Sequence, residues 1–204
     1  MAREQRPRDR RIQKTQKLLH EALGSLIREK PYDEIAVPYD EIAVKEILDR
    51  ANVGRSTFYT HFKDKDELLA GGIHDLIQTV HSTELPASGE TYERMIRFSL
   101  PVFEHIHRHR QAGATGMGTR GRAIIHEHLQ KVLAGLIADD ISDAFRGRRK
   151  TAGRIPSELL VQYVASTFVL VLNWWAETDS KLSPTQVNEV FRTLTVPTLS
   201  TYLD

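Results

Sequence analysis

Arg55, Ser56, Thr57, Tyr59, Thr60 and His61 place six hydrogen-bonding side chains within the seven residues 55–61. Their chemistry is recognition rather than bond breaking. A guanidinium at Arg55 can donate two parallel N–H bonds to guanine. Ser56 and Thr57 can bond bases or phosphates, and the Thr57 methyl can touch a thymine methyl. Tyr59, Thr60 and His61 lie farther along the same segment. Phe58 and Phe62, four residues apart, would share the opposite side and face a core. No Ser/His/Asp arrangement stands out, so no catalytic residue is assigned and the chain is not read as an enzyme.

Such side chains reach a base edge only from a short helix held out from the protein body. Ile47, Leu48 and Ala51 carry a helical apolar spacing, and Asn52-Val53-Gly54 interrupts it. Asp64 and Glu67 stand at N-cap and N3 spacing, a capping-box-like start for the next helix. Upstream, Ile12, Leu18, Leu19, Ala22, Leu23, Leu26 and Ile27 form one stripe, so the first helix is amphipathic, and Pro31 ends it. A polar helix behind a glycine-containing turn, braced by an amphipathic one, is a helix-turn-helix arrangement.

The residues Arg8 to Glu29, Val44-Lys45-Glu46-Ile47-Leu48, Ala51-Asn52-Val53, Ser56-Thr57-Phe58-Tyr59-Thr60-His61-Phe62 and Lys63-Asp64-Lys65-Asp66-Glu67-Leu68 together resemble the DNA-binding domain of the TetR family of bacterial transcriptional regulators. The resemblance covers roughly the first third of the chain. Gly54 and Ala43 depart from it, because the family usually caps these two helices with Ser or Thr. The resemblance implies an all-α protein: a DNA-binding domain over residues 1–66 and a ligand-binding and dimerisation domain over residues 67–204. It implies phosphate contacts at Tyr59, His61 and Lys65. It further implies a homodimer paired through the last two helices, a palindromic double-stranded operator, and a small-molecule effector, with repression as the expected mode.

Bulk properties agree with a cytoplasmic, ordered protein. Hydrophobic residues make up 40% of 204, enough for a buried core, and no cysteine is present. The N-terminus is too charged for a signal peptide. Net charge is only +1, but Arg3 to Lys17 holds seven cations against two acids, an arm that could lie along phosphates. Further helices are expected at Asp64 to about Ser82, Thr91–Arg110, Arg122–Phe145, Ser157–Thr178 and Pro184–Leu203. Pro86 to Gly89, the glycines around Met117 and the basic stretch Arg146–Arg154 separate them. Leu159 to Ala176 carries no charge. Gln162, Ser166, Thr167 and Asn173 interrupt it, which suits a helix buried on two sides better than a membrane span. Met95, Phe98, Phe103, Met117, Tyr163, Phe168, Trp174 and Trp175 are the candidate effector liners, and their bulk suggests an apolar or aromatic ligand.

Residues Pro31–Val37 and Pro38–Val44 are identical, PYDEIAV twice. Pro38 with Asp40 and Glu41 is a good helix start, favouring a second helix lengthened backward, from about Pro38 to Ala51. Alternatively the second copy keeps the ordinary role and the first bulges out as a loop. Residues 1–69 hold 14 Lys+Arg and 13 Asp+Glu, a balance of +1, which would be +3 with one copy. The extra acids are expected to weaken DNA binding. At the limit they abolish it, leaving a dimeric small-molecule-binding protein. His105 and His109 share a helix face without a convincing third ligand, and His126-Glu127-His128 lacks a zinc-protease spacing. No metal and no cofactor is assigned.

Overall fold

A computed structural model describes residues 7–28, 39–81, 91–111, 118–144, 155–178 and 180–203. The first PYDEIAV copy, the arm before Pro7, the turn at 86–89, Met117 and the basic stretch 146–154 lie outside the described residues. Every regular element among those described is helical: α1 (Pro7–Arg28), α2 (Val44–Ala51), α3 (Arg55–His61), α4 (Lys65–His81), α5 (Thr91–Ile96), α6 (Ser99–Gln111), α7 (Gly118–Ala144), α8 (Ser157–Glu177) and α9 (Pro184–Leu203), with a single 3-10 turn at Tyr39–Glu41 before α2. The chain divides into two compact units. One holds residues 1–73 and 109–125, the other 74–108 and 126–204.

In the first unit, α1 begins on a proline, which costs nothing at a position with no intrahelical N–H bond to lose. It buries Leu19, Ala22, Leu23 and Ile27 with Ile47, Leu48, Ala51, Phe58, Phe62 and Leu68, while Leu18 stays exposed. The expected stripe was therefore one residue too wide. Arg50 on α2 donates to the Ser25 hydroxyl on α1 at 2.8 Å. Gly71 and Gly72 do not break α4, and Gly71 lets α1 come close. A methyl on Gly71 would lie 3.2 Å from His20 Nε2, whereas one on Gly72 would meet only ordinary contacts at 3.6 Å and beyond. Gly72→Ala is therefore expected to stabilise the protein by about 0.5–1 kcal/mol through helix propensity. Gly71→Ala should bring no such gain, and equal shifts of the urea midpoint for the two variants would contradict this account.

The second helix is not lengthened backward. Tyr39–Glu41 makes one 3-10 turn, Ile42 is buried, and Ala43 is extended (φ −83°, ψ 147°) as the N-cap of α2. Ala43 offers no capping oxygen, but Glu46 reaches back to accept its N–H at 2.7 Å. That half of a capping box suffices to start the helix at Val44. Good local start signals at Pro38 give way to a 3-10 turn in which the Tyr39 carbonyl accepts the Ile42 N–H at 3.2 Å.

In the second unit, the expected single helix over 91–110 is two. Its break falls at Arg97–Phe98, where Pro101 has no N–H to bond back to the Arg97 carbonyl four residues earlier. The Ser99 hydroxyl lies 2.7 Å from the Ile96 carbonyl and 2.6 Å from the Asn188 side-chain oxygen, pinning the break to α9. Arg192 on α9 makes a two-pronged bond to Glu93 on α5, at 2.6 and 2.8 Å, which holds the Glu93 carboxyl below the usual carboxylate range. α8 is long and apolar enough to cross a membrane by length and composition, yet 56% of its apolar window is buried inside the protein. The burial marks it as a core helix.

Candidate nucleic-acid interface

α2 ends on Asn52, the one described non-glycine residue with positive φ (φ 50°, ψ 48°). Asn tolerates the left-handed region better than other side chains, and there it lets the Val53 N–H close onto the Leu48 carbonyl at 3.1 Å. Gly54 itself is extended (φ −68°, ψ 147°) and serves as the N-cap of α3. The reversal thus rests on Asn52 rather than on the glycine. Asp64 accepts the Glu67 N–H at 2.8 Å as the sequence suggested, while Glu67 reaches back past the N-cap to accept the Lys63 N–H at 2.6 Å.

Between these stops, α3 has two sides. Phe58 is wholly buried and Phe62 nearly so, with ring centroids 5.9 Å apart. Arg55, Ser56, Thr57, Tyr59 and Thr60 are exposed, and His61 is half-buried. Thr60 turns its hydroxyl back to the Ser56 carbonyl at 2.9 Å. The structure therefore brings six of the seven expected DNA contacts onto one short helix.

Lys65 is placed differently. Its Nζ donates to the carbonyls of Tyr39, Asp40 and Ile42 at 2.7, 2.8 and 2.9 Å and sits 4.7 Å from the Tyr39 ring centroid. An ammonium has three protons, and all three are used here. Lys65 holds the second heptad copy in place. Around those carbonyls the chain makes a 3-10 turn, with the Ile42 N–H on the Tyr39 carbonyl at 3.2 Å, in place of a helix running on from Pro38. The Tyr39 hydroxyl, from the same copy, donates to Asp66 Oδ1 at 2.5 Å, and Arg120 on α7 donates to Asp66 Oδ2 at 2.5 and 2.9 Å. Burial would raise the Asp66 pKa, but the hydrogen bonds from Tyr39 and Arg120 outweigh it and hold the carboxyl below its usual range. Burial, then Asp66, pushes the Tyr39 phenol upward, and burial lowers the Lys65 ammonium. Sequence reasoning missed Arg120. It stands 54 residues from Asp66, and no spacing connects them.

The candidate effector liners divide. Met95, Phe98, Phe103, Phe168 and Trp175 are buried. The rings pack on one another, Phe103 on Phe168 at 4.9 Å, Phe98 on Phe168 at 5.0 Å and Phe103 on Trp175 at 5.8 Å. Tyr163 and Trp174 instead lie on the exposed side of α8, and Met117 lies outside the described residues. The His107 ring stacks on Trp175 at 6.0 Å; the side chain of His109 lies outside the described residues.

The described residues thus form a helix-turn-helix in the first unit and helices alone in the second. The sequence profile of the bacterial regulatory proteins of the tetR family matches residues 35–71, and that of a transcriptional regulator C-terminal region matches residues 93–196. Among solved structures, the chain is similar to a TetR transcriptional regulator from Streptococcus agalactiae. The two share 24% identity with a TM-score of 0.51, over 92% of this chain and 97% of that one. It is also similar to a TetR-family regulator from Syntrophomonas wolfei, at 17% identity and a TM-score of 0.64, over 92% and 96%. No curated protein matches the chain. The protein belongs to the TetR family of transcriptional regulators.

Proposed function

We propose that the protein is a homodimeric, effector-responsive repressor that reads a palindromic operator with Arg55, Ser56, Thr57, Tyr59, Thr60 and His61. The observation that carries this is the two-sided α3, polar and exposed outward and anchored inward by Phe58 and Phe62. Lys65 contributes indirectly, by fixing the turn from which α2 starts.

Two-fold pairing places two such helices in successive major grooves. The pairing surface we assign is the outer side of α8 and α9, where Leu159, Tyr163, Leu170, Trp174, Val190 and Leu194 are exposed large hydrophobics. The effector is an apolar or aromatic small molecule taken up among Met95, Phe98, Phe103, Phe168 and Trp175. These rings pack on one another, and a ligand entering among them parts some of them. It then binds two arrangements of the core unequally, as a switch requires. The protein acts in the cytoplasm.

The first heptad copy adds Asp33 and Glu34 to the sequence of the DNA-binding region while the second supplies the contacts to Lys65 and Asp66. A chain lacking residues 31–37 is therefore expected to fold alike, bind operator more tightly and show the steeper salt dependence. Selection from a random duplex pool, followed by mobility shifts of both chains, tests this. Equal affinities would remove the duplication from the account. Binding by the shortened chain alone would establish instead a dimeric ligand-binding protein whose DNA binding the duplication has abolished.

A further inference from the structure

On a helix, side chains lean toward the N-terminus, so a residue covers the surface over the turn before it. Tyr59 accordingly lies over Arg55, four residues earlier. The Arg55 guanidinium carbon stands 5.8 Å from the Tyr59 ring centroid, within cation–π range. The ring is itself held. Phe58, wholly buried, meets Tyr59 edge to face at 90° with centroids 5.2 Å apart. A fixed core residue thus orients an exposed ring (Tyr59 is 48% exposed), and that ring carries a cation. No carboxylate among the described residues pairs with Arg55, so the ring is its described side-chain partner.

We propose that Tyr59 is a specificity-determining positioning residue: its ring restricts Arg55 to a pose whose fork can meet guanine. An unrestrained arginine at the helix start can satisfy itself on any nearby phosphate, which contributes affinity without sequence information. Stacking removes part of that freedom before DNA arrives, so less rotamer entropy is lost on forming the two-pronged base contact. The role belongs to the ring, and the Tyr59 hydroxyl remains free for a phosphate. Tyr59 has this role only if α3 is the DNA-reading helix, as proposed above.

The test is selection from a random duplex pool with the full chain, followed by competition binding at the selected site and at its single-base variants. Tyr59→Phe, Tyr59→Ala, Arg55→Ala and the Arg55→Ala/Tyr59→Ala double variant are compared. Both side chains are exposed, so all four should fold, which circular dichroism verifies. Arg55→Ala is expected to relax one guanine position. Tyr59→Ala should relax the same position by about three- to tenfold, and Tyr59→Phe should keep that preference, with at most a uniform loss of affinity. The double variant should discriminate no worse there than Arg55→Ala alone, since the ring acts through the arginine. Retained guanine preference in Tyr59→Ala, loss of it in Tyr59→Phe, or additive losses in the double variant would overturn the positioning role. So would Arg55→Ala leaving every base preference intact. If the full chain and the chain lacking residues 31–37 both select no sequence, the DNA-reading assignment itself fails. If only the shortened chain selects one, the comparison is run in that background with the same outcomes.

Discussion

Lys65→Met should lower stability by about 2–4 kcal/mol, with Tm falling by roughly 4–16 °C for a chain of this size. The ammonium bonds three carbonyls at 2.7–2.9 Å, and methionine can bond none of them. Hydrogen bonds to a charged donor contribute about 1.5–3 kcal/mol each when counted singly. Three that share one nitrogen do not add, and relief of the ammonium's burial offsets part of the loss. Methionine keeps the apolar stem against the Tyr39 ring, so the difference isolates the polar contacts. Lys65→Arg should recover little, because a planar fork cannot converge on three oxygens gathered around one point. The released segment is the one that delivers the chain into α2, so operator binding should weaken alongside stability. A Lys65→Met protein melting within about 1 °C of the parent would show that these carbonyls find water at no cost.

Leu159→Glu combined with Leu170→Glu should convert the proposed dimer into monomers at micromolar concentration and reduce operator affinity by about a hundred- to ten-thousandfold. Leu159 is 60% and Leu170 65% exposed in the protomer, so glutamate at either position is solvated and the protomer should keep its helical spectrum. In a two-fold interface each position occurs twice. Burying the part of one such leucine still exposed contributes roughly 1–2 kcal/mol, so the four together account for about 4–8 kcal/mol before any cost of burying charge. A monomer still presents α3 but binds each half-site separately, without the raised local concentration of the second reading head. Sedimentation velocity measures the first effect and mobility shift the second. A double variant that still sediments as the parent dimer would exclude this face as the pairing surface.

The all-α fold and most helix spans were legible in the sequence, because long apolar periodicities carry their own register. α9 begins at Pro184 and ends at Leu203 as read. Legibility fails where a distant partner overrides a local signal. Pro38, Asp40 and Glu41 make a sound helix start, yet the segment forms one 3-10 turn whose carbonyls at Tyr39, Asp40 and Ile42 converge on Lys65 from 23 to 26 residues away. Pro101 was the visible mark of the α5–α6 break, and the apolar spacing across it hid the interruption. At the candidate interface, four-residue spacing correctly sent Phe58 and Phe62 inward. Composition could not tell Tyr163 and Trp174, which face outward, from Phe168 and Trp175, which face in: α8 is apolar on nearly every side. Arg120 was invisible, since only tertiary structure brings α7 against Asp66.

The way the second heptad is seated bears on the chain's history. Excising either copy of PYDEIAV leaves the same sequence, KPYDEIAVKE, across the junction. A single deletion, wherever it falls within the repeat, would return a protein in which tyrosine, aspartate and isoleucine still occupy the places that Tyr39, Asp40 and Ile42 hold now. The lengthened form is thus one genetic event away from its shorter counterpart, with no compensating substitution required in α2, α4 or α7.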